Sequence, residues 1–316
     1  MYKLFFVFTF LALNLEMNAQ NVIESLKKNP NISWHQTAII SFHTELGREN
    51  MQLSGKSRKN VVVKHQMPTV LTSRHQDYGY HSFSSKIMNE AVWTNAKNKC
   101  YADPQLSKLL TVDELQKKLA TVDTVVMFDP ETLQEVVHIQ PTSLHSGHIT
   151  HFKLFVCYAY NSKTEKFEVH PISIAAVKGT FNHLGELQEE REAFWMPVRA
   201  KSKIDPYHKD IEWLQWQELS YQLDSPKELS KVAMQQLKTL PAKIKADEVK
   251  TQANMQYGEA ISPARLKQLE KVKAEDIKGL YFSYFLAWDA KKQEVIMQIE
   301  GAGPTAPTGL LYFVQD

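Results

Sequence analysis

Five histidines and four glutamates are the side chains of this sequence whose types and spacing could do chemistry. His145, His148 and His151 recur every three residues, with His138 before them and His170 after. Neutral imidazoles are good zinc or copper ligands, and three-residue spacing would bring them to one side of a helix or turn. No carboxylate or thiolate completes a recognised ligand pattern, and the segment runs from a loop into a strand, where that spacing alternates faces. Solvated or capping histidines are therefore the favoured reading, with a metal site as the alternative and no cofactor expected. Glu186, Glu189, Glu190 and Glu192 offer carboxylates for acid-base work. A run of this kind on a polar loop reads instead as a solvated face, one that a protein partner could meet. No Gly-rich phosphate loop, nucleophile elbow or zincin helix is present, so the expectation is a protein that is not an enzyme.

The elements that must position these residues follow from periodicity. Thr111-Val112-Asp113-Glu114 is a capping box flanked by Leu110 and Leu115 as a hydrophobic staple, and predicts a helix over 112–120. Another short helix is expected over 85–95. Strands at 123–128 and 134–139 flank an Asp129-Pro130 turn, and strands at 152–160, 166–177 and 193–198 continue an antiparallel meander. Residues 199–206 read as a hinge. Apolar side chains on two sides predict a helix over 207–223, which presents Trp213 and Trp216 as partner-contacting aromatics. Ser225-Pro226 and Ser262-Pro263 open two further helices.

Laying Ile277 on Ile149 aligns two segments without gaps. Ala159, Tyr160, Asn161 and Lys163 then match Ala287, Trp288, Asp289 and Lys291, and in both segments a second and a third strand follow. The fold expected is α+β, with two antiparallel meander units and flanking and intervening helices. The organisation expected is a signal peptide over 1–20, a weakly patterned segment over 21–84 and an α+β unit over 85–198. A hinge and helical region over 199–261 and a shorter second unit over 262–316 complete it.

Lys3, the apolar run from Leu4 to Leu13 and the small residue Ala19 have the layout of a secretory signal, with cleavage after Ala19 or Gln20. Ten apolar residues are too few for a span, which needs about 20. The chain of 316 residues carries 37 basic and 35 acidic side chains. That even balance argues against a nucleic-acid partner held by bulk electrostatics. Two cysteines, Cys100 and Cys157, cannot make a disulfide scaffold or a four-thiolate zinc module, and two unpaired thiols are the favoured reading. The aromatic strands at 152–160 and 280–288 could line a small-ligand site, but such central residues are more often core.

The order of motifs resembles the gliding-motility GldN family, also called PorN. It runs from Tyr101 through Asp103-Pro104, Leu109-Leu110 and Thr111 to Leu115, then Asp123-Thr124 and Phe128-Asp129-Pro130-Glu131-Thr132. A strand from Ile149, Val169 to Ala176, and Ala193-Phe194-Trp195 follow, with an echo from Glu275 to Pro304. The resemblance covers roughly residues 85–200 and, again, 275–316. The strand Phe155-Val156-Cys157-Tyr158-Ala159-Tyr160 is less charged than its family counterpart, which marks a divergent relative. Membership would imply a non-enzymatic scaffold subunit of a periplasmic ring in type IX secretion. It would also imply protein partners in the cell envelope, among them an outer-membrane lipoprotein.

Overall fold

A computed structural model describes residues 19–42, 69–73, 100–128, 131–132, 134–143, 149–181, 187–205, 208–223, 226–245, 251–254, 259–307 and 309–315. Residues 1–18 of the signal peptide expected over 1–20, the expected helix at 85–95, His145, His148 and Glu186 lie outside the described residues, and residues 19 and 20 open α1. Two of the helix starts read from capping patterns form as expected, and Ser225, expected to open another, lies outside the described residues. Thr111 caps α2 (Val112–Leu119) with both halves of its capping box in place. Ser262 caps α4 (Pro263–Leu269), with proline in the first turn, where its missing N–H costs nothing. α1 (Ala19–Lys28) and α3 (Lys227–Lys245) are the other α-helices among the described residues, and a single 3-10 turn covers Ala274–Asp276.

The strands overturn the expectation of two antiparallel meander units. Most of them belong to one mixed, twelve-stranded sheet. Its first half has the order β1 (Ile32–Phe42), β5 (Ile149–Asn161), β6 (Lys166–Phe181) and β7 (Leu187–Ala200). The second half continues with β12 (Glu294–Ala306), β11 (Gly279–Asp289), β8 (Ile211–Gln222) and β2 (Thr69–Ser73). The halves join where β7 and β12 run parallel, pairing Val198, Arg199 and Ala200 with Val295, Ile296 and Met297. The hairpin β3 (Ala120–Phe128) and β4 (Glu135–Ser143) stands apart as a two-stranded sheet. Short strands β9 (Thr251–Asn254), β10 (Glu259–Ala260), β13 (Gly309–Leu310) and β14 (Phe313–Gln315) extend the second half.

The sheet curls back on itself. Tyr158 of β5 meets Phe282 of β11 edge-on at 6.0 Å and stacks near Tyr221 of β8 at 6.2 Å, although several strands separate them along the sheet. The principal core lies inside this curl, with Trp34, Phe152, Tyr160, Phe194, Tyr284, Trp288 and Tyr312, and Leu229, Val232 and Leu240 of α3 close it. β5 is buried on both faces because Phe155, Cys157 and Ala159 enter a second core with Tyr101, Leu106, Ile172 and Trp195. A strand packed on both sides must read as a near-continuous apolar run, and this one does.

The segment expected as a helix over 207–223, with Trp213 and Trp216, is strand β8, flanked by β11 and β2. Its apolar residues on two sides reflect the alternation of a strand with two neighbouring layers: Ile211 joins a small outer core and Leu219 the principal one.

This correction enlarges the repeat. Trp34 of β1 stands opposite Tyr160, as Trp213 of β8 stands opposite Trp288, and each strand has a register shift just before its tryptophan. Asn31-Ile32-Ser33-Trp34-His35-Gln36 thus matches Asp210-Ile211-Glu212-Trp213-Leu214-Gln215. The Ser162 N–H donates to Asn31 O at 2.7 Å, and the Ala290 N–H to Asp210 O at 2.8 Å, at equivalent places. Both hairpins turn through a non-glycine residue with positive φ, Glu165 at 54° and Gln293 at 53°. Both carry a bulge at one position, Ile172 of β6 opposite the step from Phe155 to Val156 and Glu300 of β12 opposite the step from Ser283 to Tyr284. Bulges re-aim side chains and recur as built features, so a shared bulge is a strong mark of common plan. The third strand also docks in register, Met196 opposite Ile174 and Val314 opposite Ala302.

Candidate partner-binding surface

The segment that begins the resemblance, from Tyr101 to Leu115, forms a braced ledge on the outer face of the first half-sheet. Tyr101 and Trp195 exchange main-chain hydrogen bonds of 2.8 and 2.9 Å. Leu110 N–H donates to Cys100 O at 2.8 Å and closes the loop at its base. Inside it, Asp103 accepts from the Ser107 N–H (3.0 Å), the Ser107 hydroxyl (2.9 Å) and the Lys108 N–H (2.9 Å). Partial burial pushes this carboxyl up, but the donors from Ser107 and Lys108 outweigh it and hold Asp103 below the usual range. Leu106 adopts a left-handed φ of 58°, which a non-glycine residue holds only when its surroundings impose it. Here its side chain is buried beside Phe155, Cys157 and Trp195. The Ser173 hydroxyl donates to Pro104 O at 2.7 Å and ties the ledge to β6.

Two large hydrophobic side chains stand out from this rigid support, Leu109 at 53% and Val112 at 52% exposure. Single exposed leucines are ordinary. Leu109 at the end of this internally bonded loop and Val112 in the capped first turn of α2, three residues apart, form a prearranged apolar contact, whose ordering cost is met before any partner arrives. Lys108 and Glu114 pair at 3.0 Å beside them. The Glu114 carboxylate accepts from the Thr111 N–H and hydroxyl, and these bonds with the Lys108 pairing hold its pKa down to about 2. A depressed carboxylate stabilises the fold fully above its ordinary value of 4.5 and loses that contribution as pH falls through about 2. The N-terminal amides of α2 are therefore expected to exchange faster as pH falls through this range. In Glu114→Gln the exchange should show no such step, and an identical step in that variant would contradict the assignment.

The acidic run does not form the loop expected of it. From Leu187 onward it belongs to β7, and its carboxylates are engaged across the sheet. Glu192 Oε1 pairs with Lys153 Nζ at 2.6 Å and its Oε2 accepts from Trp195 Nε1 at 3.3 Å. Glu190 Oε1 lies 3.3 Å from Nδ1 of His151, which is 5% exposed and also 3.0 Å from the Thr150 hydroxyl. Glu189 alone faces solvent, against Arg191 at 2.7 Å. No family model and no curated protein matches the chain. His170 pairs with Glu168 at 3.1 Å, opposite Cys157 on β5 and far along the hairpin from His151. Among the described residues, no group of three His, Cys, Asp or Glu is placed to hold a metal ion. Cys100 and Cys157 are free and buried, and burial pushes their thiols up to about 12 and about 11.

Leu109 and Val112 were not singled out by sequence reasoning, although a signal was available. The capping box assigns Leu110 to the staple, and Leu110 is indeed partly buried against the principal core. Its neighbour Leu109 is then turned outward.

Proposed function

We propose that this chain is a non-catalytic scaffold subunit that binds protein partners in the cell envelope. The exported, periplasmic location and the setting in a gliding-motility or type IX secretion assembly rest on the GldN-like order of motifs and the signal-like N-terminus. The observation that carries the reading is the exposed pair Leu109 and Val112 on the braced ledge, inside the very segment that begins the resemblance. The side chains best suited to chemistry are used to hold the sheet together, Glu192 with Lys153 and Glu190 beside His151. Among the described residues, no helix is long and apolar enough to cross a membrane. The test is affinity capture from cross-linked cells, comparing the native chain with Leu109→Ser/Val112→Ser. Removing two apolar anchors of this size should weaken capture at least about tenfold, with thermal unfolding unchanged. Equal capture by both chains would overturn the assignment of the surface.

A further inference from the structure

The two halves differ at one edge, and the difference points to an interface. β8 carries β2 on the side away from β11, with Thr69 opposite Trp216, Val70 opposite Gln215, Thr72 opposite Leu214 and Ser73 opposite Trp213. By the equivalence of β1 and β8, the matching edge of β1 is Trp34 to Thr37. Among the described residues, β1 pairs with β5 alone and ends the sheet. Edge strands are normally protected by lysine, proline, bulges or shortness. β1 is 11 residues long and, over Ile32–Phe42, contains no Lys, Arg, Asp, Glu or Pro. Thr37 is exposed, and Ile39 is 41% exposed.

The strand that fills the equivalent edge reads Thr69-Val70-Leu71-Thr72-Ser73, and β1 itself holds the similar run Thr37-Ala38-Ile39-Ile40-Ser41. Transferring the register of β2 on β8 to that run sets Thr37 opposite Thr37 and Ala38 opposite Gln36. These two pairs map onto themselves when the strands are exchanged, as a two-fold axis requires; past the shift between Val70 and Thr72 the register of β2 departs by one residue, and the two-fold pairing continues instead with Ile39 opposite His35. We propose that β1 pairs antiparallel with β1 of a second copy of this chain, about a two-fold axis passing beside Thr37. The pairing satisfies the outward N–H and C=O groups of both edges and joins two curled sheets into one. It is independent of the ledge and of the partners proposed for it.

Light scattering on the purified chain tests this. At roughly 100 µM the expected mass is that of two copies of the 36.4 kDa chain. Thr37→Lys sets like charges face to face across the axis and should return the mass to one copy, with an unchanged circular dichroism spectrum. Thr37→Cys should form a disulfide-linked dimer under mild oxidation, because directly opposed residues lie within bridging reach. Ser33→Cys, far from the axis, should not. A monomer at this concentration would overturn the proposal. So would a dimer that survives Thr37→Lys, or equal cross-linking from positions 33 and 37.

Discussion

Replacing Trp195 by Ala is expected to destabilise the protein by about 3–5 kcal/mol, the usual cost of deleting a fully buried tryptophan. Trp195 has no exposed surface and lies in the second core with Tyr101, Leu106, Phe155 and Cys157. Its indole N–H also donates to Glu192, whose other oxygen holds Lys153, so truncation leaves a half-satisfied carboxylate beside a new cavity. Because its main chain anchors Tyr101, the loss should spread to the ledge. Urea unfolding gives the first quantity, and amide exchange at Tyr101 and Leu110 reports the second. Trp195→Phe should retain most of the packing and lose chiefly the bond to Glu192. A cost below about 1 kcal/mol for the alanine variant would place Trp195 outside a packed core.

Gly279→Ala should be nearly as damaging, for a steric reason. A Cβ at this position would lie 2.0 Å from Tyr221 O, 2.8 Å from Tyr221 C and 2.9 Å from Gln222 Cα. All three are main-chain atoms of the neighbouring strand and cannot rotate away. β8 and β11 would have to separate at this end, where Gly279 faces Gln222, and the expected cost is about 3 kcal/mol. The repeat supplies its own control. Position 279 corresponds to His151 in the first half, where a full side chain is accommodated, 5% exposed and 3.3 Å from Glu190. His151→Ala should therefore relieve no clash and should cost its contacts with Glu190 and Thr150, a smaller effect in the same urea assay. A loss in Gly279→Ala no larger than that of His151→Ala would contradict the close approach.

Much of this fold was legible where local chemistry decides it. Thr111-Glu114 and Ser262-Pro263 specify helix starts through short-range hydrogen bonding and a preset φ, and both form. The hairpin β5–β6 was readable because Asn161 accepts from the Lys163 and Thr164 amides and so shapes its turn locally. What failed was set by distant partners. Residues 211–222 have apolar side chains on both sides, and helix and two-faced strand share that pattern until the neighbouring layers are known. Calling them helical hid the kinship of Trp213 with Trp34, and with it the first strand of the second repeat. The two repeats also differ in what precedes the hairpin: β3 and β4, before β5, stand apart as their own sheet, whereas β9 and β10, before β11, join the large sheet through β14. The acidic run was misread for a related reason. Glu190 and Glu192 look solvated in sequence because the side chains that engage them, His151 and Lys153, arrive from another strand.

A photoactivatable amino acid placed at Leu109 in growing cells reports whether the ledge binds protein. Glu275, an exposed residue on the other repeat whose side chain is 74% accessible, is the control position. A covalent adduct to one envelope protein from position 109 and none from position 275 is the expected result. No adduct from position 109, or the same set of adducts from both positions, would contradict it.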